Sequence, residues 1–223
     1  PAALEAAIAA NPRAKLIYLI PTFQNPTGIT TGLAARREIY EIAKRHRLPI
    51  IEDNPYGELR FAGTDVPTIK SMDTEGLVIY CSTFSKILSA GMRVGFVVAP
   101  EEIAAKMVIA KQVEDVHTNQ FFQMLCHRYM TECDLDAHIE SIRAIYRRKC
   151  ALMLECLEKE LPHGVTFTRP EGGLFLWCTL PAEVDGAAFV RKALERKVAV
   201  VPGATFDCTP GAPSRAFRLN YPT

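Results

Sequence analysis

Residues 77–99 read LVIYCSTFSKILSAGMRVGFVVA: two apolar runs enclosing a polar segment that holds one lysine and one arginine. The flanking runs, 77–82 and 94–99, are rich in β-branched and aromatic residues and are expected to be strands. Upstream, 15–22 (KLIYLIPT) and 49–53 (PIIED) have the same character. Between them, 33–47 reads as an amphipathic helix with Leu33, Ile39, Ile42 and Ala43 on one side. The Ala-rich stretch 1–10 reads as a further helix. Apolar strands separated by helical segments predict a sheet covered on both faces.

Downstream the pattern changes. Residues 101–160 are mainly helical in pattern, and 135–161 is long enough to bridge two domains. After Pro162, strands are expected at 165–168, 174–179, 198–201 and 216–221, with a helix at 186–197. The expected class is α/β: part of a mostly parallel-sheet large domain (1–134) followed by a smaller α+β domain (135–223).

The chemistry-bearing residues fall at the C-terminal ends of the expected strands, the edge at which open α/β sheets bind ligands. The first strand runs into PTFQNPTG (21–28), whose prolines and glycine fix a turn around Asn25. The second ends in EDNPYG (52–57), placing Asp53 at the sheet rim with Tyr56 just after it. The third ends in STFSK (82–86), with Thr83 and Ser85 before Lys86 and Arg93 seven residues on. A lysine among apolar residues is a candidate nucleophile. Two hydroxyls and an arginine beside it make an anion cradle. Singly, Asn25 reads equally as a turn cap, Asp53 as a helix N-cap, and Lys86 as a solvated surface group. Arg218, within FRLNY (217–221), sits on an expected strand between apolar neighbours. Gly172–Gly173 reads either as a place for backbone to approach a ligand or as a plain hairpin turn.

Composition narrows the classes. The chain has 223 residues and a formal net charge of +1, which gives no bulk electrostatic case for nucleic acid or an anionic membrane surface. No run of eighteen apolar residues marks a membrane span. The start at Pro1 has no methionine, basic segment or apolar core, so a processed product or an internal piece of a longer chain is expected rather than a signal peptide. The seven cysteines, at 81, 126, 133, 150, 156, 178 and 208, contain no C-x-x-C pair. They are read as reduced, mostly buried thiols of a cytoplasmic protein. Cys126, Cys133 and His138 match no common zinc spacing, and no metal site is expected.

The segments PTFQNPTG, IIEDNPYGELRF, STFSKILSAGMRVGF, PEGGLFLW, VPGATF and FRLNY together resemble the pyridoxal 5'-phosphate (PLP) dependent aminotransferases of the aspartate-aminotransferase fold type. The resemblance is nearest in flavour to the 2-aminoadipate, kynurenine and aromatic branch, and runs from about residue 15 to the end. It implies that Lys86 holds the cofactor aldehyde as a Schiff base and that Asp53 pairs with the pyridine nitrogen. It implies Tyr56 and Asn25 at the phenolic oxygen, and Arg93, Ser85 and Thr83 at the phosphate. Arg218 is implied to grip the substrate carboxylate. The reaction so implied moves an amino group between an amino acid and a 2-oxo acid, in a homodimer with active sites near its interface. The family is about twice as long, and the 223-residue piece alone is expected to bind PLP weakly and turn over little. Three other readings stand beside it: the PLP-sensing domain of a winged-helix transcription regulator, a carbon–sulfur lyase or decarboxylase, and a non-catalytic interaction protein on the same scaffold. Asn25 and the NPYGELRF run favour the enzyme over the regulator.

Overall fold

β-Branched and aromatic side chains crowd the turns of a helix but sit well on a pleated sheet, and the apolar runs of the first half form strands. The computed structural model describes residues 1–209 and 211–222. Its elements are α1 (Ala2–Ala10), β1 (Ile17–Leu19), α2 (Leu33–His46), β2 (Ile50–Asp53), β3 (Val78–Thr83), β4 (Gly95–Val98), α3 (Glu101–Glu114), α4 (Gln120–Glu132) and α5 (Leu135–Glu160). They continue with β5 (Thr166–Phe167), β6 (Phe175–Thr179), α6 (Gly186–Glu195), β7 (Val201–Pro202) and β8 (Ala216–Asn220). The expected α/β class is found.

The chain forms two compact units. The first comprises Pro1–Pro21, Thr31–Glu58 and Thr64–Glu140; the second comprises Thr22–Thr30, Leu59–Gly63 and the chain from Ser141 onward.

In the first unit the strand order is β1-β2-β3-β4. The first three strands are parallel, with Ile17 opposite Ile50 and Ile50 opposite Val78, and β4 closes the sheet antiparallel to β3. Tyr40 and Ala43 of α2 pack with Ile17, Leu48, Ile50, Ile69 and Val78. The helix buries Arg36, Tyr40, Ile42 and Ala43. Leu33 and Ile39, expected on that face, are only partly buried, because the inner stripe is centred on Arg36. The Arg36 side chain is fully enclosed. Its Nε donates to the Thr31 carbonyl at 2.8 Å, and its terminal nitrogens donate to Pro21, Val66 and Pro67 carbonyls at 2.9, 3.3 and 3.1 Å. It faces Glu52, also fully buried, at 4.0 Å.

Among the described residues β4 is the last strand of this sheet, and all four of its residues are exposed within this chain.

The second unit holds an antiparallel sheet in the order β5-β6-β8-β7, with cores around Leu176 and Cys178. The strand expected at 198–201 is reduced to Val201–Pro202. Lys197 adopts a left-handed conformation (φ 63°), and the Val198 amide donates to the Ala193 carbonyl at 2.9 Å. Closing α6 in this way uses the residues that would have begun the strand. All seven cysteines are free thiols. Cys126, Cys150 and Cys178 are buried and Cys81 half-buried, but Cys133, Cys156 and Cys208 are exposed, so the thiols are less buried than expected.

Asp73 organises the approach to β3. Its carboxylate accepts from Lys70 Nζ at 2.9 Å and from the Leu77 and Val78 amides at 3.0 Å each. Burial opposes its ionisation, but Lys70 and the two amides outweigh that and hold the carboxyl at about 2, below the ordinary 3.8. A carboxyl depressed in the folded state stabilises above its unfolded value, and that contribution is lost as pH falls through the folded one. In the full-length protein, Asp73→Asn is expected to remove about 2 kcal/mol of pH-dependent stability at pH 6 and about half that at pH 3. Urea unfolding of both proteins at the two pH values checks this; an equal deficit at both would contradict it.

Candidate active site

Parallel pairing brings the C-terminal ends of β2 and β3 side by side, with Asp53 opposite Cys81. The Asn54 amide extends the ladder by donating to the Cys81 carbonyl at 2.8 Å, and Ser82 Oγ donates to the Asn54 carbonyl at 3.0 Å. Alternation along strands puts Ile51 and Asp53 on one face, and Cys81 and Thr83 on that same face of β3. Tyr18 of β1 lies opposite Ile51 and so shares it. Its hydroxyl donates to Asp53 Oδ2 at 2.6 Å. Partial burial, then the Asp53 carboxylate, push the Tyr18 phenol well above the ordinary tyrosine value, so it stays a donor. Among the described residues, no donor reaches Asp53 Oδ1. Tyr56, in the turn after β2, is buried.

The β3–β4 connection carries the lysine. Thr83 pairs with Gly95, and the Phe84 amide donates to the Val94 carbonyl at 3.1 Å, so the 85–93 segment leaves and returns at one point with Ser85 and Arg93 at its mouth. Thr83 Oγ1 accepts from the Ser85 amide at 3.1 Å and lies 3.0 Å from the Val94 carbonyl and 2.9 Å from Ser85 Oγ. With its single proton given to the carbonyl, the threonine can accept from the serine. Lys86 follows, half-buried, in a turn closed by the Leu88 amide donating to Phe84 at 2.8 Å. Among the described residues, Lys86 makes no ion pair. His138 of α5 braces this turn: its Nε2 lies 2.8 Å from the Ile87 carbonyl, which can only accept, so Nε2 carries the proton. Its ring meets Tyr129 edge-on. Arg93 is exposed and left-handed (φ 55°), a conformation that costs a non-glycine residue about 1 kcal/mol or more. Its guanidinium donates to the Ala90 carbonyl at 3.1 Å.

In the second unit, Arg218 of β8 pairs with Trp177 of β6. The guanidinium lies 4.3 Å from the Phe175 ring centre and 5.1 Å from that of Phe206, which itself packs edge-on against Trp177. One terminal nitrogen donates to Asn25 Oδ1 at 2.6 Å. An arginine only donates, so this contact fixes the Asn25 amide with its oxygen on Arg218 and its NH2 free to point elsewhere. Gly172 and Gly173 answer to packing. A Cβ on Gly172 would lie 2.2 Å from the Phe23 ring, and one on Gly173, whose φ is +74°, would lie 2.5 Å from Phe23 Cβ. The backbone around them is held by the Gly173 amide donating to Leu59 at 3.2 Å and Tyr221 Oη donating to the Gly172 carbonyl at 2.9 Å.

The sequence-expected residues thus divide. Asp53, Tyr56, Thr83, Ser85, Lys86 and Arg93 belong to the first unit, around the ends of β2 and β3; Asn25 and Arg218 belong to the second and touch. Tyr18, His138 and the Phe175–Phe206 pair were not anticipated. The signal for Tyr18 was present, since strand parity places it on the Asp53 face, but parity needs the β1–β2 register.

The family model described as aminotransferase class I and II matches residues 1–223. The chain is 45% identical over 194 residues to aromatic-amino-acid aminotransferase 1 of Thermococcus litoralis, covering 87% of this chain and 46% of that protein. It is 41% identical over 214 residues to 2-aminoadipate transaminase of Thermus thermophilus, covering 95% and 53%. The crystal structure of Pyrococcus horikoshii kynurenine aminotransferase in complex with PMP matches at a TM-score of 0.94 and 41% identity, over 99% of this chain and 55% of that one. The chain spans about half the length of the curated relatives it matches.

The Phe23 contact gives a direct test of the glycine pair. Gly172→Ala in the full-length protein is expected to cost on the order of 1–3 kcal/mol of stability. A urea midpoint equal to wild type would show that the ring moves aside freely.

Proposed function

We propose that this chain, which belongs to the class I and II aminotransferase family, is the lysine-bearing part of a PLP-dependent enzyme that exchanges an amino group between an amino acid and a 2-oxo acid. The observation that carries the reading is the setting of Lys86. It follows the Thr83–Ser85 hydroxyl pair at the end of β3, on a sheet whose neighbouring strand ends in an Asp53 carboxylate already held by a phenol. The donor set suits the cofactor: an amine for its aldehyde, a carboxylate for its ring N–H, and hydroxyls with a guanidinium for its phosphate. Bound PLP supplies a protonated ring that draws off the negative charge left when an amino acid loses its α-proton.

The chain's own residues do the rest. Lys86 Nζ would hold the cofactor's aldehyde carbon, and as a free amine it would serve as the base at the substrate Cα. Asp53 keeps the ring nitrogen protonated through its carboxylate. Ser85 and Thr83 offer hydroxyls to the phosphate, and Arg93 offers a planar fork that matches it. Tyr56 donates to the phenolic oxygen from the β2 side. Asn25 donates through the NH2 that its contact with Arg218 leaves free. Arg218 binds the substrate α-carboxylate, with its guanidinium orientation set by Phe175 and Phe206.

In this reading residues 1–134 belong to the cofactor-binding domain and 135–223 to the domain that grips the substrate carboxylate. The whole enzyme is a cytoplasmic homodimer with active sites near its interface. Free thiols support the compartment. Among the described residues, no helix is long and apolar enough to cross a membrane.

The test uses the full-length protein. Adding PLP is expected to produce a visible absorption band that Lys86→Ala abolishes; a band surviving in that variant would refute the assignment of Lys86. Arg218→Lys keeps the charge but loses the fork, and is expected to raise the KM for the amino acid on the order of tenfold or more while the band persists. Steady-state kinetics with both substrates reads this out.

A further inference from the structure

We propose that Tyr18 is a positioning residue for Asp53, its phenol occupying one carboxylate oxygen so that the other is kept for the ring N–H of PLP. The inference rests on the reading of the preceding subsection and extends it to a residue outside the cofactor's own contacts.

The geometry is specific. Tyr18 and Asp53 sit on adjacent parallel strands and on the same face, two residues apart in register. That diagonal separation is too long for a serine or threonine hydroxyl and suits an aromatic side chain. The phenol–carboxylate distance of 2.6 Å is that of a charge-assisted O–H···O⁻ bond. Asp53 is the last residue of β2, where a short side chain at a strand end has rotamers to choose among. A bond to Oδ2 selects one of them. Among the described residues, no donor meets Oδ1, so the selected rotamer leaves that oxygen for a further donor.

Tyr18 does little else. It is 55% exposed, whereas its neighbour Ile17 is buried in the core. A phenylalanine at this position would present almost the same hydrocarbon surface. What the tyrosine adds is its hydroxyl. With the phenol pushed above its ordinary value, that hydroxyl keeps its proton and remains a donor. Tyr18 therefore does not exchange protons with the cofactor or the substrate. It acts through Asp53.

The experiment compares full-length wild type and Tyr18→Phe for binding of two probes: PLP and its 1-deaza analogue, in which a C–H replaces the ring nitrogen. Dissociation constants come from absorbance titration, and urea midpoints are taken on the cofactor-free proteins. Tyr18→Phe is expected to weaken PLP on the order of tenfold, to leave affinity for the deaza analogue unchanged, and to leave the urea midpoint unchanged. Equal weakening of both probes, or a lowered cofactor-free midpoint, would make Tyr18 a structural residue and overturn the proposal. Unchanged PLP affinity would overturn it too. Wild type that binds no PLP at all is a separate result, and would remove the functional reading along with this one.

Discussion

A buried guanidinium sets the geometry on which the first unit depends. Arg36 reaches from α2 to the carbonyls of Thr31, Pro21, Val66 and Pro67. Each carbonyl belongs to a segment that a sheet and a helix alone would leave loose: the exit of β1, the entry to α2, and the loop before Ile69. Leaving such buried acceptors unmet costs about 1–3 kcal/mol each. The Glu52 carboxylate, 4.0 Å away, adds to these carbonyls in offsetting the cost of the buried charge. Glu52 is in turn held by the Ile69 and Lys70 amides at 2.9 and 2.8 Å. One ion pair thus ties the end of β1, the end of β2 and the approach to β3 into one frame.

That frame is also what places the candidate site. Asp73, anchored to the start of β3, fixes the strand that ends in Thr83 and leads to Lys86. The turn after Lys86 is then braced by His138. Asp53 and Thr83 therefore end neighbouring strands, and Lys86 follows in a turn that backbone and side-chain hydrogen bonds close. Preorganisation of this kind is what a site needs to hold donors within fractions of an ångström.

Much of this was legible in the sequence, and the reason differs by feature. The strands 50–53, 78–83, 95–98 and 216–220 and the helix 33–46 follow from local patterns, because β-branched runs and 3.6-residue periodicity act over a few residues. Lys86, Asp53 and Arg93, each ambiguous alone, stood out as an ordered set whose spacing resembles the family's. What escaped reading were features set by register and tertiary contact. Arg36 carried no local signal of burial, since nothing in its sequence neighbourhood says that four carbonyls converge on it. Gly172–Gly173 was ambiguous until Phe23, far away in sequence, supplied the steric reason. The strand expected at 198–201 lost its start to a helix C-cap, where one left-handed residue outweighed the β propensity of its neighbours.

Glu52 and Asp53 show how a sheet assigns different tasks to adjacent identical charges. Strand alternation sends Glu52 inward, where burial pushes its carboxyl up while the Ile69 and Lys70 amides and Arg36 oppose that shift. Each of its two oxygens accepts from a backbone amide of the fold. Asp53, one residue later and on the other face, is half-buried and meets a single phenol. Had the register slipped by one residue, the two carboxylates would exchange faces. The ion pair with Arg36 would then be lost, and the functional rim would carry the longer, more flexible glutamate. The buried pair and the half-buried carboxylate are therefore one constraint: the interaction that pins the register of β2 in the core is the same one that presents Asp53 at the rim.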